Sequence, residues 1–282
     1  MKPLLSEDEW ERTKRLVDEF ARTDGPSLHA ELQQLARDAP TSWLEGFWDT
    51  MYLEYRDPSP INVNPAFALN PDPSLENEPS DWIQLLRAAK LLHATAWFVA
   101  VLRSGKLTPD TIGAPPNQIP LCMTQYGKLF GTCRIPIAGR DIVISSHTAR
   151  HACVVSCNRF YAIDILDDDN TPIPPSKLLN QLAALRADSL LPAPTGCSPA
   201  NLGAFTCEHR DAWSAVYPAV YELNKENMDT LQSSVILVCL DGPSGATGGE
   251  HDLDALCVSA LHNYGQNRYV ATMPNTQITF SN

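Results

Sequence analysis

Histidines and cysteines at short spacings are the first residues in this sequence that could do chemistry. His147, His151, Cys153 and Cys157 lie close together in the chain, and imidazole and thiolate groups are ligands that zinc prefers. The spacing lacks the Cys-x2-Cys pair of a zinc knuckle, and both cysteines fall in an apolar run that reads as a strand. Packed thiols are therefore favoured over a zinc site, and we assign no metal ligand.

Nucleophilic catalysis is not indicated by local motifs either, because the sequence has no Gly-x-Ser-x-Gly elbow. His209 opens a predicted helix and His262 ends one, and both read as terminal or solvated residues. His93 lies at an apolar helical position and reads as a packed histidine. Gly242–Gly249 matches neither phosphate-binding glycine motif and is predicted to be a mobile connection. Isolated motifs therefore identify no general base and no bound cofactor.

Composition limits the class of protein. The chain has 282 residues, 44% of them hydrophobic, which is enough for one large or two modest domains. Its net charge is −12, with 21 basic against 33 acidic residues, which argues against a nucleic-acid partner. Eight cysteines are too sparse for a disulfide scaffold. Four of them lie in apolar patterns and are expected to be reduced and buried: Cys122, Cys153, Cys239 and Cys257.

Membrane and targeting segments are not indicated. The N-terminal residues MKPLLSEDEWERTKRL form neither a signal peptide nor an acid-free, arginine-rich presequence, so no targeting peptide is visible. The apolar stretch Leu85–Leu102 is interrupted by Arg87, Lys90 and His93. We therefore expect no transmembrane helix.

Three helices are predicted before residue 57. Ser6 and Glu9 form a capping box that begins a helix to about Ala21, and Gly25-Pro26 is expected to break it. Its apolar stripe, which should pack against something, is Trp10, Leu16, Val17 and Phe20. The second helix carries Leu28, Leu32 and Leu35 and ends at Pro40. Thr41 is expected to cap the third, whose many aromatic residues predict deep packing.

The remainder of the chain alternates between helices and strands. Asp81 is expected to cap the longest helix, a core helix that includes Trp82 and Trp97 and ends at Gly105. Strands are predicted at DIVI, ACVVSC and RFYAIDIL, the last two joined by a tight turn near Asn158. Further helices are expected at 175–187, 208–223 and 253–261, and VILVCL (235–240) reads as a strand buried on both faces. The fold class is α/β, with a mixed sheet flanked by helices.

Five blocks, in order, resemble one family of enzymes. The first is FWDTMYLEYRDPSPINVNPAFALNPDP at Phe47–Pro73, and the second is IPLCMTQYGKLFGTCRIP at Ile119–Pro136. ARHACVVSCNRFYAIDILDD, CEHRDAW and SSVILVCLD follow at Ala149–Asp168, Cys207–Trp213 and Ser233–Asp241. Together they resemble the choline/carnitine acyltransferases over most of the chain, and they read most like the mitochondrial carnitine palmitoyltransferase branch.

The resemblance implies a fold, an activity and a partner. Family members have two α/β domains with a tunnel between them, so this chain would be the N-terminal, incomplete part of that fold. Residues 1–40 would be a helical segment that packs on the second domain, which this chain would need as its partner, and residues 41–282 a partial first domain. The reaction would transfer acyl groups between acyl-coenzyme A, a co-substrate rather than a bound cofactor, and the carnitine hydroxyl. A mitochondrial location is implied with it.

The resemblance also suggests substrate-binding residues. Tyr52 matches a tyrosine that lines the carnitine pocket, and Trp48, one turn earlier, would pack beneath it. A tyrosine offers a ring face to a quaternary ammonium and a hydroxyl to a carboxylate, although simple core packing remains the other interpretation. Arg56 and Asp57 would fix the loop that leads to the VNPAF sequence.

The resemblance assigns no catalytic residue to this chain. The catalytic histidine of the family, in a Glu-His motif, would lie beyond Asn282, after a strand at Thr276–Ser281. The chain alone is therefore expected to be inactive. Two other functions remain open: a choline acetyltransferase, which shares these blocks, and a truncated, non-catalytic paralogue that acts as a binding module. The short link Gly105–Ile119 lacks the hydrophobic hairpin of the palmitoyltransferase branch, which leaves membrane docking open.

Overall fold

The structure, a computed structural model, describes residues 4–59, 69–192, 205–240 and 277–280. The chain divides into two compact units, Met1–Tyr52 and Leu53–Asn282. The predicted helix at 253–261 and the glycine-rich connection at 242–249 lie outside the described residues, as do Cys257 and His262.

Helices and strands alternate through the described residues. The α-helices are α1 (Glu7–Arg22), α2 (Asp24–Asp38), α3 (Glu45–Leu53), α4 (Ser80–Arg103), α5 (Pro175–Ser189), α6 (Arg210–Leu223) and α7 (Lys225–Ser233). The strands are β1 (Thr111–Ile112), β2 (Ile119–Pro120), β3 (Thr132–Ile135), β4 (Ile142–Ser145), β5 (His151–Ser156), β6 (Arg159–Asp164), β7 (Leu237–Leu240) and β8 (Gln277–Phe280). The class is mixed α/β, as predicted.

The capping box predicted at the start of the first helix is confirmed. The Ser6 hydroxyl accepts a hydrogen bond from the backbone N–H of Glu9, and the Glu9 carboxylate accepts from the backbone N–H of Ser6 at 2.9 Å. The predicted break at Gly25-Pro26 is wrong by a few residues. α1 ends at Arg22 and α2 begins at Asp24, so Pro26 lies in the first turn of α2, where a helix tolerates proline.

Apolar side chains of the first unit remain exposed. In α1, Leu16, Val17 and Phe20 are all more than half exposed, and none of the residues of α1, α2 or α3 is buried. The prediction of deep packing for α3 is therefore wrong in this chain. Thr41 does not cap α3, because the helix begins only at Glu45.

The central sheet has the strand order β6-β5-β7-β8. β5 and β6 form an antiparallel hairpin, whereas β7 is parallel to both β5 and β8. The two turn residues of the hairpin, Cys157 and Asn158, have φ of 49° and 62°, the left-handed pair that a two-residue hairpin turn requires. The predicted turn near Asn158 and the predicted strand before Asp241 are thus confirmed. All four residues of β7 are buried.

The sheet buries a different apolar layer on each face, because side chains alternate along a strand. Ala152 and Val154 of β5 face the layer that α4 and α5 form. Cys153 and Val155 face a second layer, formed by β3 and by α6 and α7. Helices therefore cover both faces of the described sheet, in three layers.

The longest helix, α4, packs through part of its surface. Buried residues recur along it at helical spacing: Leu85, Ala88, Ala89, Leu92, Ala96 and Val99. Trp82 and Trp97 were predicted as core residues but are 44% and 59% exposed, because one 24-residue helix can turn only one face toward α5 and the sheet. Asp81 lies inside the first turn, after Pro79 at the N-cap position. Gly105 follows the helix with φ of 66°, as a helix stop should.

The same helix raises the question of a membrane span. By length and composition alone, Trp82–Arg103 is long and apolar enough to cross a bilayer, which is weak evidence because a core helix passes the same test. Ala88, Leu92 and Ala96 are buried in the layer that α4 shares with α5. In the described part of the chain, this packing accounts for one face of the helix, and 33% of its apolar window is buried.

Candidate substrate-binding site

Tyr52 and Trp48 lie one turn apart near the end of α3, so they share a face of that helix. Their ring centroids are 5.3 Å apart with an interplanar angle of 40°. Trp48 is 52% exposed and Tyr52 is 39% exposed. The indole supports one side of the phenol ring, and the pair can offer an aromatic face and a hydroxyl to a ligand.

A buried carboxylate organises the chain that follows Tyr52. The side chain of Asp141 is fully buried and accepts hydrogen bonds from three arginines that come from distant parts of the sequence. Arg56 Nη1 lies 3.1 Å from Oδ1, while Arg134 Nε and Arg210 Nε lie 2.6 and 2.7 Å from Oδ2. Asp211 Oδ1 in turn accepts from Arg56 Nε at 3.0 Å. We call these five residues the Asp141 cluster.

The Asp141 cluster holds the backbone from Leu53 to Arg56. The carbonyl oxygen of Leu53, the last residue of α3, accepts from the backbone N–H of Asp141 at 3.0 Å and from Arg56 Nη1 at 3.2 Å. Arg134 Nη2 donates to the carbonyl oxygen of Tyr55, and the Arg210 backbone N–H donates to that of Arg56. Cationic donors at the end of a helix satisfy carbonyl groups that lack partners inside the helix.

Arg56 belongs to the Asp141 cluster, whereas Asp57 lies outside it. The Arg56 side chain donates four hydrogen bonds, to Asp211, to Asp141 and to the carbonyl oxygens of Leu53 and Ile137. Asp57 accepts one, from the Tyr55 hydroxyl at 3.2 Å. Arg56 is thus an anchor of this segment, whereas the loop with the VNPAF sequence lies outside the described residues.

Sequence reasoning missed Asp141, Arg134 and Arg210 as members of one site. The available signal was that Arg134 and Arg210 each lie inside a block that resembles the family, at GTCRIP and CEHRDAW. Charged residues in largely apolar surroundings need partners, so each should have been expected to pair. No spacing rule, however, links positions 56, 134, 141 and 210.

In the described part of the chain, four histidines occupy ordinary structural positions. His147 is exposed, whereas the His151 imidazole lies 2.7 Å from the Thr230 carbonyl oxygen. Among the residues that the structure describes, no three histidine, cysteine or acidic side chains come close enough to hold a metal ion. His209 occupies the N-cap of α6, where its Nδ1 accepts from the Asp211 backbone N–H, and His93 Nδ1 lies 2.9 Å from the Ile173 carbonyl oxygen.

The buried thiols are poor nucleophiles. Burial raises the pKa of Cys133 to about 12 and that of Cys153 to about 11, so both remain protonated at neutral pH. Cys153 and Cys239 are buried thiols, as predicted. Cys122 was predicted to be buried but is exposed, because β2 ends at Pro120 and the following residues lie on the surface.

Comparisons with known proteins agree on one family. The family model described as choline/carnitine O-acyltransferase matches residues 1–275. Mitochondrial carnitine O-palmitoyltransferase 2 of Mus musculus is 33% identical over 300 residues, which cover 95% of this chain and 43% of that protein. The human protein of the same name is 31% identical over 298 residues, with the same coverage.

A relative with a different acyl group in its name matches at a similar level. Carnitine O-acetyltransferase of Rattus norvegicus is 30% identical over 250 residues, which cover 86% of this chain and 38% of that protein. The chain therefore spans less than half the length of these curated relatives. The two kinds of relative share carnitine in their names and differ in the acyl group.

Proposed function

This chain belongs to the choline/carnitine O-acyltransferase family, and we propose that it serves the transfer of acyl groups between coenzyme A and the hydroxyl of carnitine. The observation that carries the proposal is the family match over residues 1–275, together with relatives named for carnitine. A mitochondrial site of action and a role in fatty-acid metabolism are part of the proposal, supported by the names of the palmitoyltransferases.

The role that we propose for the described residues is substrate binding. Carnitine carries a quaternary ammonium and a carboxylate. The exposed ring of Tyr52, supported by Trp48, suits a quaternary ammonium, which is attracted to the negative face of an aromatic ring. Its hydroxyl is a donor for the carboxylate. The Asp141 cluster supports this role by ordering the backbone from Leu53 onward.

The chemical step that we propose is general-base catalysis. A histidine would remove the proton of the carnitine hydroxyl, whose oxygen then attacks the thioester carbonyl, and coenzyme A leaves as a thiol. We assign no residue of this chain as that base. His209 already uses Nδ1 to cap α6, and His93 already contacts a backbone carbonyl group.

The test is an acyl-transfer assay on the natural gene product, captured from its native source with an antibody against this chain. Free thiol released from acetyl-, octanoyl- and palmitoyl-coenzyme A is measured with carnitine, with choline and with neither. We expect thiol release that depends on carnitine. Release with choline alone would support the choline acetyltransferase alternative instead.

The same assay addresses the non-catalytic alternative. The absence of thiol release with every pair of substrates, from protein that still binds carnitine by calorimetry, would support a binding module and contradict the proposed transfer. The 282-residue chain, assayed alone, is expected to show no turnover. Turnover by that chain would mean that it contains the general base, and each histidine would then be replaced in turn.

A further inference from the structure

We draw no further inference here: the strongest candidate, the exposed apolar face that Leu16, Val17 and Phe20 form on α1 of the first unit, carries none because nothing in the described part of the chain shows what covers it.

Discussion

At the scale of single residues, the described part of the chain contains carboxylates that each accept several hydrogen bonds. Asp141 accepts four hydrogen bonds and joins segments that lie 69 and 85 residues away in the sequence, at Arg210 and Arg56. A buried ion pair of this kind is costly to break from one side, because the partner charges remain buried. The loss of one carboxylate oxygen or one charge from this cluster should therefore lower the stability of the second unit.

The first prediction concerns Asp141. Asp141→Asn should lower the free energy of unfolding by about 3 to 5 kcal/mol, because three guanidinium groups then lose their buried counter-charge. Urea unfolding followed by far-UV circular dichroism measures the change. Asp168→Asn is the control, since that carboxylate is 93% exposed and should change stability by well under about 1 kcal/mol. Equal effects of the two changes would contradict the role of Asp141.

The second prediction concerns Asp72. Hydrogen bonds from Ser74 and from Lys90 lower the pKa of Asp72 from its ordinary value to about 2. The interaction is then fully present above about pH 4 and is lost as the pH falls toward 2. The difference in unfolding midpoint between the unmodified chain and Asp72→Asn should therefore shrink as the pH falls from 5 to 2. A constant difference over that range would show that Asp72 does not contribute through its charge.

The third prediction concerns Tyr52 and belongs to the proposed function. In the natural gene product, Tyr52→Phe should raise the KM for carnitine about tenfold, the effect of losing one hydrogen bond to a charged group, with kcat little changed. Tyr55→Phe removes the same hydroxyl three residues later, where it donates a hydrogen bond to Asp57, and should leave the KM unchanged. A lower kcat at constant KM would place Tyr52 in the chemical step instead.

At the scale of elements, the parallel strands and the helices around them form the most continuous core. β7 is central because it pairs with β5 and β8 and contributes residues to both apolar layers. α4 and α5 cover one face and α6 and α7 cover the other. Because interiors are close-packed, the removal of volume at the α4–α5 layer should destabilise the whole sheet.

The fourth prediction tests that layer. Leu182 of α5 is fully buried, and Leu182→Ala should lower the free energy of unfolding by about 2 to 5 kcal/mol through lost burial and the cavity left behind. Leu191→Ala, at a side chain that is 60% exposed, makes the same replacement outside the core and should cost much less. Urea unfolding of both variants gives the comparison, and similar costs would contradict a shared core layer.

At the scale of the whole molecule, the two units differ in how much apolar surface they bury. The second unit has two buried layers, whereas none of the residues of α1 and α2 in the first is buried. Both helices also carry large apolar side chains that are exposed: Leu16, Val17, Phe20, Leu28, Leu32 and Leu35. Exposed apolar faces of this extent are unusual in a monomeric protein and are sites of association.

The fifth prediction follows for the isolated chain. The 282-residue chain should self-associate in sedimentation velocity experiments, because the apolar face of α1 is exposed. Replacement of Leu16, Val17 and Phe20 by serine should reduce self-association without loss of the α/β fold. Serine at Glu11, Lys14 and Asp18, polar positions of the same helix, is the control and should not reduce it. A monodisperse, cooperatively melting monomer would contradict the prediction, and would leave the assignment of residues 1–40 to an inter-domain role without support.

The sequence alone determined the features that neighbouring residues encode. The Ser6–Glu9 capping box, the Asn158 turn and the apolar run of β7 were all predicted, because each depends on backbone hydrogen bonds or on periodicity within a few residues. The family resemblance also came from contiguous blocks. These features can be recognised in the sequence, because none of them requires a contact between distant residues.

Only the tertiary structure decided which distant residues meet and which apolar surfaces are buried. Nothing in the spacing of Arg56, Arg134, Asp141 and Arg210 predicts that one carboxylate binds three guanidinium groups. The same limit explains the errors at α3 and at Trp97, which look like core residues in the sequence but are exposed. Apolar periodicity shows which face of a helix could be buried, whereas burial itself requires a second surface, and that depends on packing.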